Sequence, residues 1–249
     1  MSAKQIANNL EVNTALLWVV DLAGVSKIAL EDWQTFLSDD ELDRGRRFHF
    51  ERDRRSFLVS HGLLRTALTS VVPCVHPRDW IFARSPQGRP EIDQPVVVPR
   101  LRFNISHTTS TVACVVTTEV DCGVDVEAIT PLPEFEALCG RILAPPEKRR
   151  IATMSVDERL SGFFRLWTLK EAYAKARGLG ISLPFEQLAF SWCSDGIRLE
   201  IHPTLDDSEH WHFEQWRVSD NHILSVALRG GRESSQSVVC YTALPPVTL

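Results

Sequence analysis

The stretch GVDVE, at residues 123–127, places two carboxylates one residue apart inside an otherwise apolar run. Together with the Ala and Ile that follow, it has the length and the β-branched content of a strand. Because side chains alternate faces along a strand, Asp125 and Glu127 are expected to project on the same side. Two carboxylates on one face offer the hard oxygen ligands that Mg²⁺ prefers. A solvent-facing strand edge with solubilising charge is the alternative interpretation of this pentapeptide.

Strand and helix patterns lie on both sides of this stretch. TALLWVVDL at 14–22, LRFNIS at 101–106 and TVACVVTT at 111–118 have the apolar content of strands. Between them, apolar residues recur at helical spacing over 29–50 and 56–72. After GVDVE the chain again continues through helical patterns and returns to alternating strands.

Each half of the chain therefore begins with an apolar strand, continues through helices and ends in strands. The acidic turn EVDCG joins TVACVVTT to GVDVEAI, which predicts a hairpin. The segment SPQGRPEIDQP is rich in Pro and Gly and predicts a structured loop. This order of elements predicts an α+β fold with two α+β subdomains, at residues 1–122 and 123–249.

Composition and charge narrow the class of protein. The 249 residues are 44% hydrophobic with a formal charge of −5, which predicts a globular protein and does not suggest nucleic-acid binding. The six cysteines form no CxxC pair, which fits thiols in a reducing compartment. No signal-peptide pattern and no apolar run near the ~20 residues of a membrane span occur, so we expect a cytoplasmic protein without membrane partners. Chain length and the self-contained halves favour a monomer.

A second stretch with side chains suited to binding or catalysis is LWTLKEAYAKARGLG, at residues 166–180. Helical spacing puts Glu171 and Lys175 on one face, with Trp167 one turn earlier. A surface ion pair is one interpretation of this spacing. The other interpretation rests on the neighbouring residues, since an acid, two lysines and Arg177 occur close together in an otherwise apolar helical pattern. That combination favours a third metal ligand and cationic contacts to a polyphosphate.

Two further stretches carry polar groups suited to an anion. In FNISHT, Ser106 and His107 end an apolar strand, where they are either hydrogen-bond donors to an anion or part of a capping turn. The block from Arg44 to Arg65 contains seven arginines, whose planar donor forks match phosphate. Helical spacing cannot turn all seven one way, so we expect two or three of them to bind an anionic ligand.

Taken in order, GRP at 88–90, FNISHT, GVDVE and LWTLKEAYAKARGLG resemble the 4′-phosphopantetheinyl transferases of the surfactin-synthetase-activating type. The resemblance spans residues 48–184. It implies transfer of the phosphopantetheine arm of coenzyme A to a serine of an apo acyl, peptidyl or aryl carrier protein, with release of adenosine 3′,5′-bisphosphate. It also implies two similar α+β halves related by a pseudo-twofold, with coenzyme A and Mg²⁺, or Mn²⁺ in its place, in the cleft between them.

The resemblance also assigns roles to residues, position by position. The metal ligands it implies are Asp125, Glu127 and Glu171. The contacts to coenzyme A that it implies are Ser106 and His107 to phosphates, Lys175 to the pyrophosphate, Arg89 and Pro90 on the adenine side, and Arg44, Arg47 and Arg55 in the basic block. Two positions depart from the family pattern, since Arg89 replaces a lysine and Val126 supplies no ligand between the two acids.

For the chemical step, the resemblance implies a catalytic set of Glu171, Lys175, Glu147 and His107. The base that accepts the proton of the carrier serine is either Glu147, in APPEKRR, or Glu171 through a metal-bound water. Displacement at phosphorus needs charge neutralisation and positioning, which a cation, Lys175 and His107 supply. Whether the carrier belongs to fatty-acid, polyketide or non-ribosomal peptide synthesis is left open by the sequence.

Two rival functions use the same residues. A binding module that holds coenzyme A without transfer would keep the arginines and His107 but would need no metal ligands. A Mg²⁺-dependent hydrolase would direct the same carboxylates at water, although no phosphate-cradling glycine loop is present in the sequence. The three carboxylates speak against the first rival.

Overall fold

The computed structural model describes residues 14–201, 205, 210–230, 237–243 and 245. The chain divides into two compact units, one formed by 1–121 with 236–249 and the other by 122–235. The helices of the described part are α1 (Lys27–Phe36), α2 (Asp39–Arg46), α3 (Glu51–Val71), α4 (Phe135–Ile142), α5 (Pro145–Thr153) and α6 (Val156–Arg177). Its strands are β1 (Thr14–Asp21), β2 (Ile81–Arg84), β3 (Pro90–Gln94), β4 (Leu101–His107), β5 (Thr111–Thr118), β6 (Cys122–Ala128), β7 (Leu188–Cys193), β8 (Gly196–Ile201), β9 (His210–Ser219), β10 (His222–Gly230) and β11 (Ser237–Tyr241).

The first unit is built on a four-stranded sheet with the order β11-β1-β5-β4. Every residue of β5 is buried, because the strand is paired on both edges and α3 packs against it. The 21-residue helix α3 buries Leu63 and Leu68 completely and forms the centre of this core with Trp33 of α1. Strands β2 and β3 form a separate hairpin where the sequence predicted a loop.

Helices α1 and α2 occupy a segment in which the sequence predicted one continuous helical pattern. Ser38 ends that continuity, since its hydroxyl accepts a hydrogen bond from the Glu41 backbone N–H at 3.2 Å. The Glu41 carboxylate in turn accepts from the Ser38 N–H at 2.8 Å. This reciprocal capping box starts α2 at the next residue.

The second unit centres on α6, which packs against β6 and β10 of a three-stranded sheet with the order β6-β10-β9. A two-stranded sheet, β7 with β8, completes its strands within the described residues. The core combines α6 residues such as Phe163 and Tyr173 with Phe190 of β7 and Phe213 of β9. Helix α6 ends at Gly178, whose φ of 68° lies in the left-handed region that favours glycine.

The predicted hairpin between TVACVVTT and GVDVEAI is wrong. Strand β5 pairs with β1 and β4, whereas β6 pairs with β10 in a different sheet. The acidic turn that reads as a hairpin loop is instead the passage from the first unit to the second. The hairpin of this region is β4 with β5, joined across residues 108–110.

The α+β class is confirmed by this mixture of helices with largely antiparallel sheets. The division expected from the sequence, 1–122 and 123–249, differs from the structure at the C-terminal end. There β11 pairs in parallel with β1, which assigns Ser237–Tyr241 to the first unit. Across the described residues, no helix combines the length and apolar character needed to cross a bilayer.

Candidate active site

Strand β6 and helix α6 bring predicted site residues together within the second unit. The Lys175 ammonium lies 2.7 Å from Asp125 Oδ1 and also donates to the Val124 carbonyl at 3.2 Å. On the same strand, Glu127 Oε1 accepts a hydrogen bond from the Trp167 indole at 3.1 Å. The two carboxylates of GVDVE therefore face α6, and the solvent-edge interpretation of this stretch does not describe them.

The spacing of α6 explains why one helix supplies several partners. Trp167, Glu171 and Lys175 follow one another at intervals of four residues, which places them on one face of an α-helix. The backbones of β6 and α6 approach closely because Gly123 has no side chain. A Cβ built on Gly123 would lie 2.0 Å from the Ala172 carbonyl oxygen. The close approach brings the carboxylates of β6 within reach of side chains on α6.

The carboxylates of this cluster influence each other electrostatically. Burial and the Asp125 charge raise the pKa of Glu127 to about 7, against a weaker lowering by the Trp167 hydrogen bond and Lys175. Burial and Asp125 also raise the pKa of Glu171. Like charges close together in a partly buried site disfavour ionisation. A divalent cation among the three carboxylates would remove that penalty.

The donor set therefore fits Mg²⁺ in its chemistry, with three hard oxygen ligands from two elements. The described residues do not present a ready-made metal site, since no three Asp, Glu, His or Cys side chains among them are grouped for coordination. Lys175 occupies one oxygen of Asp125 instead. The assignment of Asp125, Glu127 and Glu171 as metal ligands stays a prediction.

The expectation that Glu147 serves as a base is not supported by its position. Glu147 is 2% exposed and Lys170 is fully buried, and Lys170 Nζ lies 2.7 Å from Glu147 Oε2. Glu147 also accepts hydrogen bonds from the backbone N–H groups of Ala144 and Phe190, each at 2.8 Å. A buried carboxylate with both oxygens engaged has no access to the hydroxyl of another protein. Its role in this structure is to tie α5 to α6 and β7.

Three residues expected to contact coenzyme A line a cavity in the first unit. The cavity has a volume of about 610 Å³, and Arg44, Pro90 and His107 are among its lining residues. Aromatic side chains such as Trp80 and Phe82 form other parts of the wall. A cavity with apolar rings and several cationic groups suits a ligand that combines a flat ring with phosphate.

Other predicted contacts have structural partners in the first unit. Arg55 donates to the carbonyls of Leu22 and Val25, at 3.0 and 2.6 Å, and so fixes the segment after β1. Arg89 is largely buried, 3.8 Å from the Asp121 carboxylate. At least part of each guanidinium therefore forms contacts that stabilise the first unit.

The remaining two predicted contacts lie at the ends of elements of the first unit. Ser106 is buried in β4, next to the exposed His107. Arg47 caps the C-terminal end of α2, where its backbone N–H donates to the carbonyls of Arg44 and Gly45. The phosphate contacts of Ser106 and Arg47 stay predictions.

Sequence reasoning assigned no role to two participants in the second unit. Trp167 orients Glu127 by its indole N–H, and only its position one turn before Glu171 pointed to it. Lys170 is the partner of Glu147, and it also donates to the backbone carbonyls of Phe185 and Leu188. A lysine beside Glu171 on a surface-like motif carries no sequence signal of complete burial, so this partner could not be found without the structure.

Comparison with known proteins gives the class to which these features belong. Residues 121–227 match the 4′-phosphopantetheinyl transferase superfamily, and residues 26–119 match the N-terminal region of 4′-phosphopantetheinyl transferases. The 4′-phosphopantetheinyl transferase HetI of Nostoc is 31% identical over 205 residues, which cover 81% of this chain and 82% of that protein. Sfp of Bacillus subtilis is 27% identical, over 69% of this chain and 74% of that protein. The chain belongs to the 4′-phosphopantetheinyl transferase family and is an enzyme of that family, which confirms the resemblance seen in its motifs.

Among solved structures, a holo-(acyl-carrier-protein) synthase from Bacillus anthracis in complex with CoA (3′,5′-ADP) is similar to part of the chain. The similarity covers 44% of this chain and 94% of that protein, with 17% identity and a TM-score of 0.39. A holo-[acyl-carrier-protein] synthase from Thermotoga maritima covers 45% of this chain at 25% identity, with a TM-score of 0.38. Both similarities are partial and add nothing to the family assignment.

Proposed function

We propose that this chain transfers the 4′-phosphopantetheine arm of coenzyme A to a serine of an apo carrier protein and releases adenosine 3′,5′-bisphosphate. Family membership supports the reaction class. The single structural observation that carries the proposal is the cluster on β6 and α6, where Lys175 pairs with Asp125 at 2.7 Å beside Glu127 and Glu171. A cluster of carboxylates with one lysine is the arrangement that a magnesium pyrophosphate needs.

In the proposed reaction, the serine hydroxyl oxygen of the carrier attacks the β-phosphorus of coenzyme A. A new phosphorus–oxygen bond forms to the carrier, and the bond from that phosphorus to the bridging oxygen of the pyrophosphate breaks. The leaving group is adenosine 3′,5′-bisphosphate, and the serine proton passes to a base near the carboxylate cluster. Glu171, acting through a water molecule, is the candidate we retain for that base, since Glu147 is enclosed in the core.

Lys175 is proposed to act on the pyrophosphate. Its ammonium neutralises Asp125 in this structure, and a phosphate oxygen that approaches the cluster is a competing partner for the same charge. Electrostatic stabilisation of the developing charge on the phosphoryl oxygens would then come from a group already held at the site. Trp167 keeps the Glu127 carboxylate oriented towards α6 during this exchange.

Asp125, Glu127 and Glu171 are proposed to hold Mg²⁺, with Mn²⁺ as an alternative. The ion would neutralise charge on the bridging and terminal oxygens of the pyrophosphate. Burial and the neighbouring Asp125 charge raise the pKa values of Glu127 and Glu171, and a divalent cation held by the three carboxylates would offset that penalty.

The cavity of the first unit is proposed to receive the adenosine end of coenzyme A. Arg44 and His107 supply cationic or hydrogen-bonding groups to phosphate, and Pro90 supplies an apolar surface for the base. Arg89, Ser106, Arg47 and Arg55 remain proposed contacts on the strength of the family motifs. Cytoplasmic location is also proposed, and it is supported by the six cysteines, which form no disulfide among the described residues.

The test is incubation with coenzyme A, Mg²⁺ and an apo carrier protein, followed by mass spectrometry of the carrier. We expect a mass gain equal to one phosphopantetheine group and an equal amount of adenosine 3′,5′-bisphosphate. One acyl carrier and one unrelated peptidyl carrier should be used, so that carrier choice does not decide the result. No mass gain on either carrier would overturn the proposal, and release of phosphopantetheine without any carrier would indicate a hydrolase.

A further inference from the structure

A second group of charged residues lies in the second unit, and the proposed reaction makes no use of it. Arg150 of α5 and Arg165 of α6 both lie over the ring of Trp192, with their guanidinium carbons 4.6 and 4.4 Å from the ring centroid. Arg217 of β9 is close enough for its charge to affect Arg165. We call these three arginines the arginine cluster.

Two members of the arginine cluster, Arg165 and Arg217, line a cavity of about 320 Å³. Its lining residues are Ser161, Arg165, Gln215, Trp216, Arg217 and Ile223. Gln215 fixes one guanidinium, since Gln215 Oε1 accepts a hydrogen bond from Arg165 Nε at 2.9 Å. Gln215 is held in turn, because its amide nitrogen donates to the Arg165 carbonyl at 2.7 Å and to the Ser225 hydroxyl at 3.0 Å. Gln215 therefore fixes the orientation of the Arg165 guanidinium at the wall of the cavity.

The charges of the arginine cluster repel each other. Burial lowers the pKa of Arg165, and the charges of Arg150 and Arg217 lower it further. Within the part of the chain that the structure describes, no carboxylate forms an ion pair with any of the three arginines. The Trp192 ring offsets part of the repulsion by cation–π contact. An anion in the cavity would offset it more fully, because Arg165 and Arg217 both line the cavity and can donate to the same anion.

The cavity and the carboxylate cluster lie on different flanks of α6. Arg165 and Glu171 are six residues apart, which separates them by about 120° around a helix. In the sheet below, Asp125 and Glu127 lie on β6, whereas Gln215 and Arg217 lie on β9. Strand β10 runs between them, so the two strands are about 10 Å apart.

We propose that Arg165 and Arg217 form a second anion site, which binds the phosphate or pyrophosphate group of a small ligand, with Arg150 adding positive charge from its position over the Trp192 ring. The concave shape favours a small ligand over a flat protein surface. Arginine favours phosphate because its planar fork donates two parallel hydrogen bonds. The proposal does not depend on the transferase reaction.

The test is isothermal titration of the full chain with inorganic pyrophosphate, at constant ionic strength and without divalent cations. Saturating coenzyme A is present throughout, so that the proposed reactive site is filled and only additional binding is measured. We expect binding of one pyrophosphate by the wild type. Arg217→Gln, at an exposed position, and Arg165→Lys are each expected to weaken it about tenfold, the effect of losing one charge-assisted hydrogen bond.

Arg149→Gln is the matched control. Arg149 neighbours Arg150 on α5 but is not part of the arginine cluster, and its replacement by Gln removes the same positive charge. We expect its pyrophosphate affinity to equal that of the wild type. Equal weakening by Arg149→Gln and Arg217→Gln would show that only net charge matters and would overturn the site. Absence of any pyrophosphate binding would also overturn it. If the cluster variants instead raise only the KM for the carrier, the surface serves protein docking and the small-ligand site is wrong.

Discussion

Lys175 and Glu171 lie one turn apart on α6, yet the lysine pairs with a residue of another element. An i,i+4 pair on a helix surface contributes only a few tenths of a kcal/mol. The partner found in the structure is Asp125, a buried residue of β6, at 2.7 Å. A charge-assisted hydrogen bond in a partly buried site is worth more than an exposed pair. Glu171 is thereby left available to a cation.

Replacement of Glu171 by Gln removes one of the three negative charges while keeping the shape of the side chain. We expect kcat for carrier labelling to fall about 100-fold or more, with little change in the affinity for coenzyme A. Glu200→Gln is the matched control, since Glu200 is exposed on β8 of the same unit. Equal kcat values for Glu171→Gln and the wild type would remove Glu171 from the reaction.

The buried pair of Glu147 and Lys170 is predicted to be energetically coupled. Glu147→Leu or Lys170→Met alone leaves the partner charge without its counterion in the core, at a cost of about 3–5 kcal/mol in the free energy of unfolding. The double variant removes both charges, and we expect it to be more stable than either single variant. Urea denaturation of the three variants measures this, and additive costs would contradict the coupling.

A second variant of Glu147 distinguishes a structural role of this residue from a catalytic one. If Glu147 only ties α5 to α6, Glu147→Gln keeps the pH dependence of kcat, even where its rate is lower. Loss of the acidic limb of the pH–rate profile in Glu147→Gln would instead restore Glu147 as a base.

At the scale of elements, the packing of β6 against α6 determines whether the carboxylate cluster forms. A Cβ on Gly123 would lie 2.0 Å from the carbonyl oxygen of Ala172 and 2.5 Å from the backbone nitrogen of Ala176. Backbone atoms of a helix cannot move independently, so the whole of α6 would have to shift. The sequence contains this glycine at the start of GVDVE, but only the structure shows which element approaches it.

Gly123→Ala is therefore predicted to displace α6 from β6. We expect a loss of about 3 kcal/mol or more in the free energy of unfolding, together with a fall in kcat as Lys175 moves away from Asp125. Gly140→Ala is the control, since among the described residues no atom beyond the neighbouring backbone of α4 lies within 4 Å of its added Cβ. That variant should be as stable as the wild type or up to about 1 kcal/mol more stable. Equal stability of the two variants would contradict the close approach.

Helices α2 and α3 are joined by Glu41, whose carboxylate lies 2.7 Å from His61 Nδ1 and 2.8 Å from an Arg65 nitrogen. Burial raises the pKa of Glu41, but the His61 hydrogen bond and the charges of Arg65 and His61 outweigh it and bring the pKa down to about 2. The charged form is therefore favoured by folding. Its contribution to stability is present above the unfolded-state pKa of about 4.5 and is lost as pH falls towards 2.

Urea denaturation between pH 7 and pH 2, with wild type and Glu41→Gln compared, tests this linkage. We expect the wild type to be more stable by about 3 kcal/mol at neutral pH, since one pKa unit corresponds to about 1.4 kcal/mol. The difference should shrink progressively below pH 4.5. A difference that stays constant down to pH 2 would contradict a lowered pKa for Glu41.

At the scale of the whole molecule, the sequence predicts the class and the local elements better than their partners. The apolar run at 14–22 and the alternating pattern at 123–127 gave correct strands, because burial of each strand is determined by its own side chains. The hairpin between β5 and β6 was wrong, because strand pairing depends on residues far away in the chain. The Lys175–Asp125 contact joins residues that are 50 positions apart, so local sequence patterns could not predict it either.

The contribution of β11 to the first unit is also open to test. Tyr241 stacks on Trp18 of β1, with ring centroids 5.4 Å apart. We expect Tyr241→Ala to lower the free energy of unfolding by about 1 kcal/mol. Hydrogen exchange should become faster at backbone amides of β1 while those of α6 keep their rates. Unchanged exchange in β1 would show that β11 does not stabilise that strand.

The parallel pairing of β1 with β11 also bears on how the chain folds during synthesis. Strand β1 leaves the ribosome early, but its edge partner follows only after all of residues 122–235 have been made. The nascent first unit therefore waits with an open sheet edge, which is a surface prone to wrong pairing. Slow translation through the second unit would prolong that exposure. Chaperones should therefore affect the yield of active enzyme more strongly than they affect the stability of the folded enzyme.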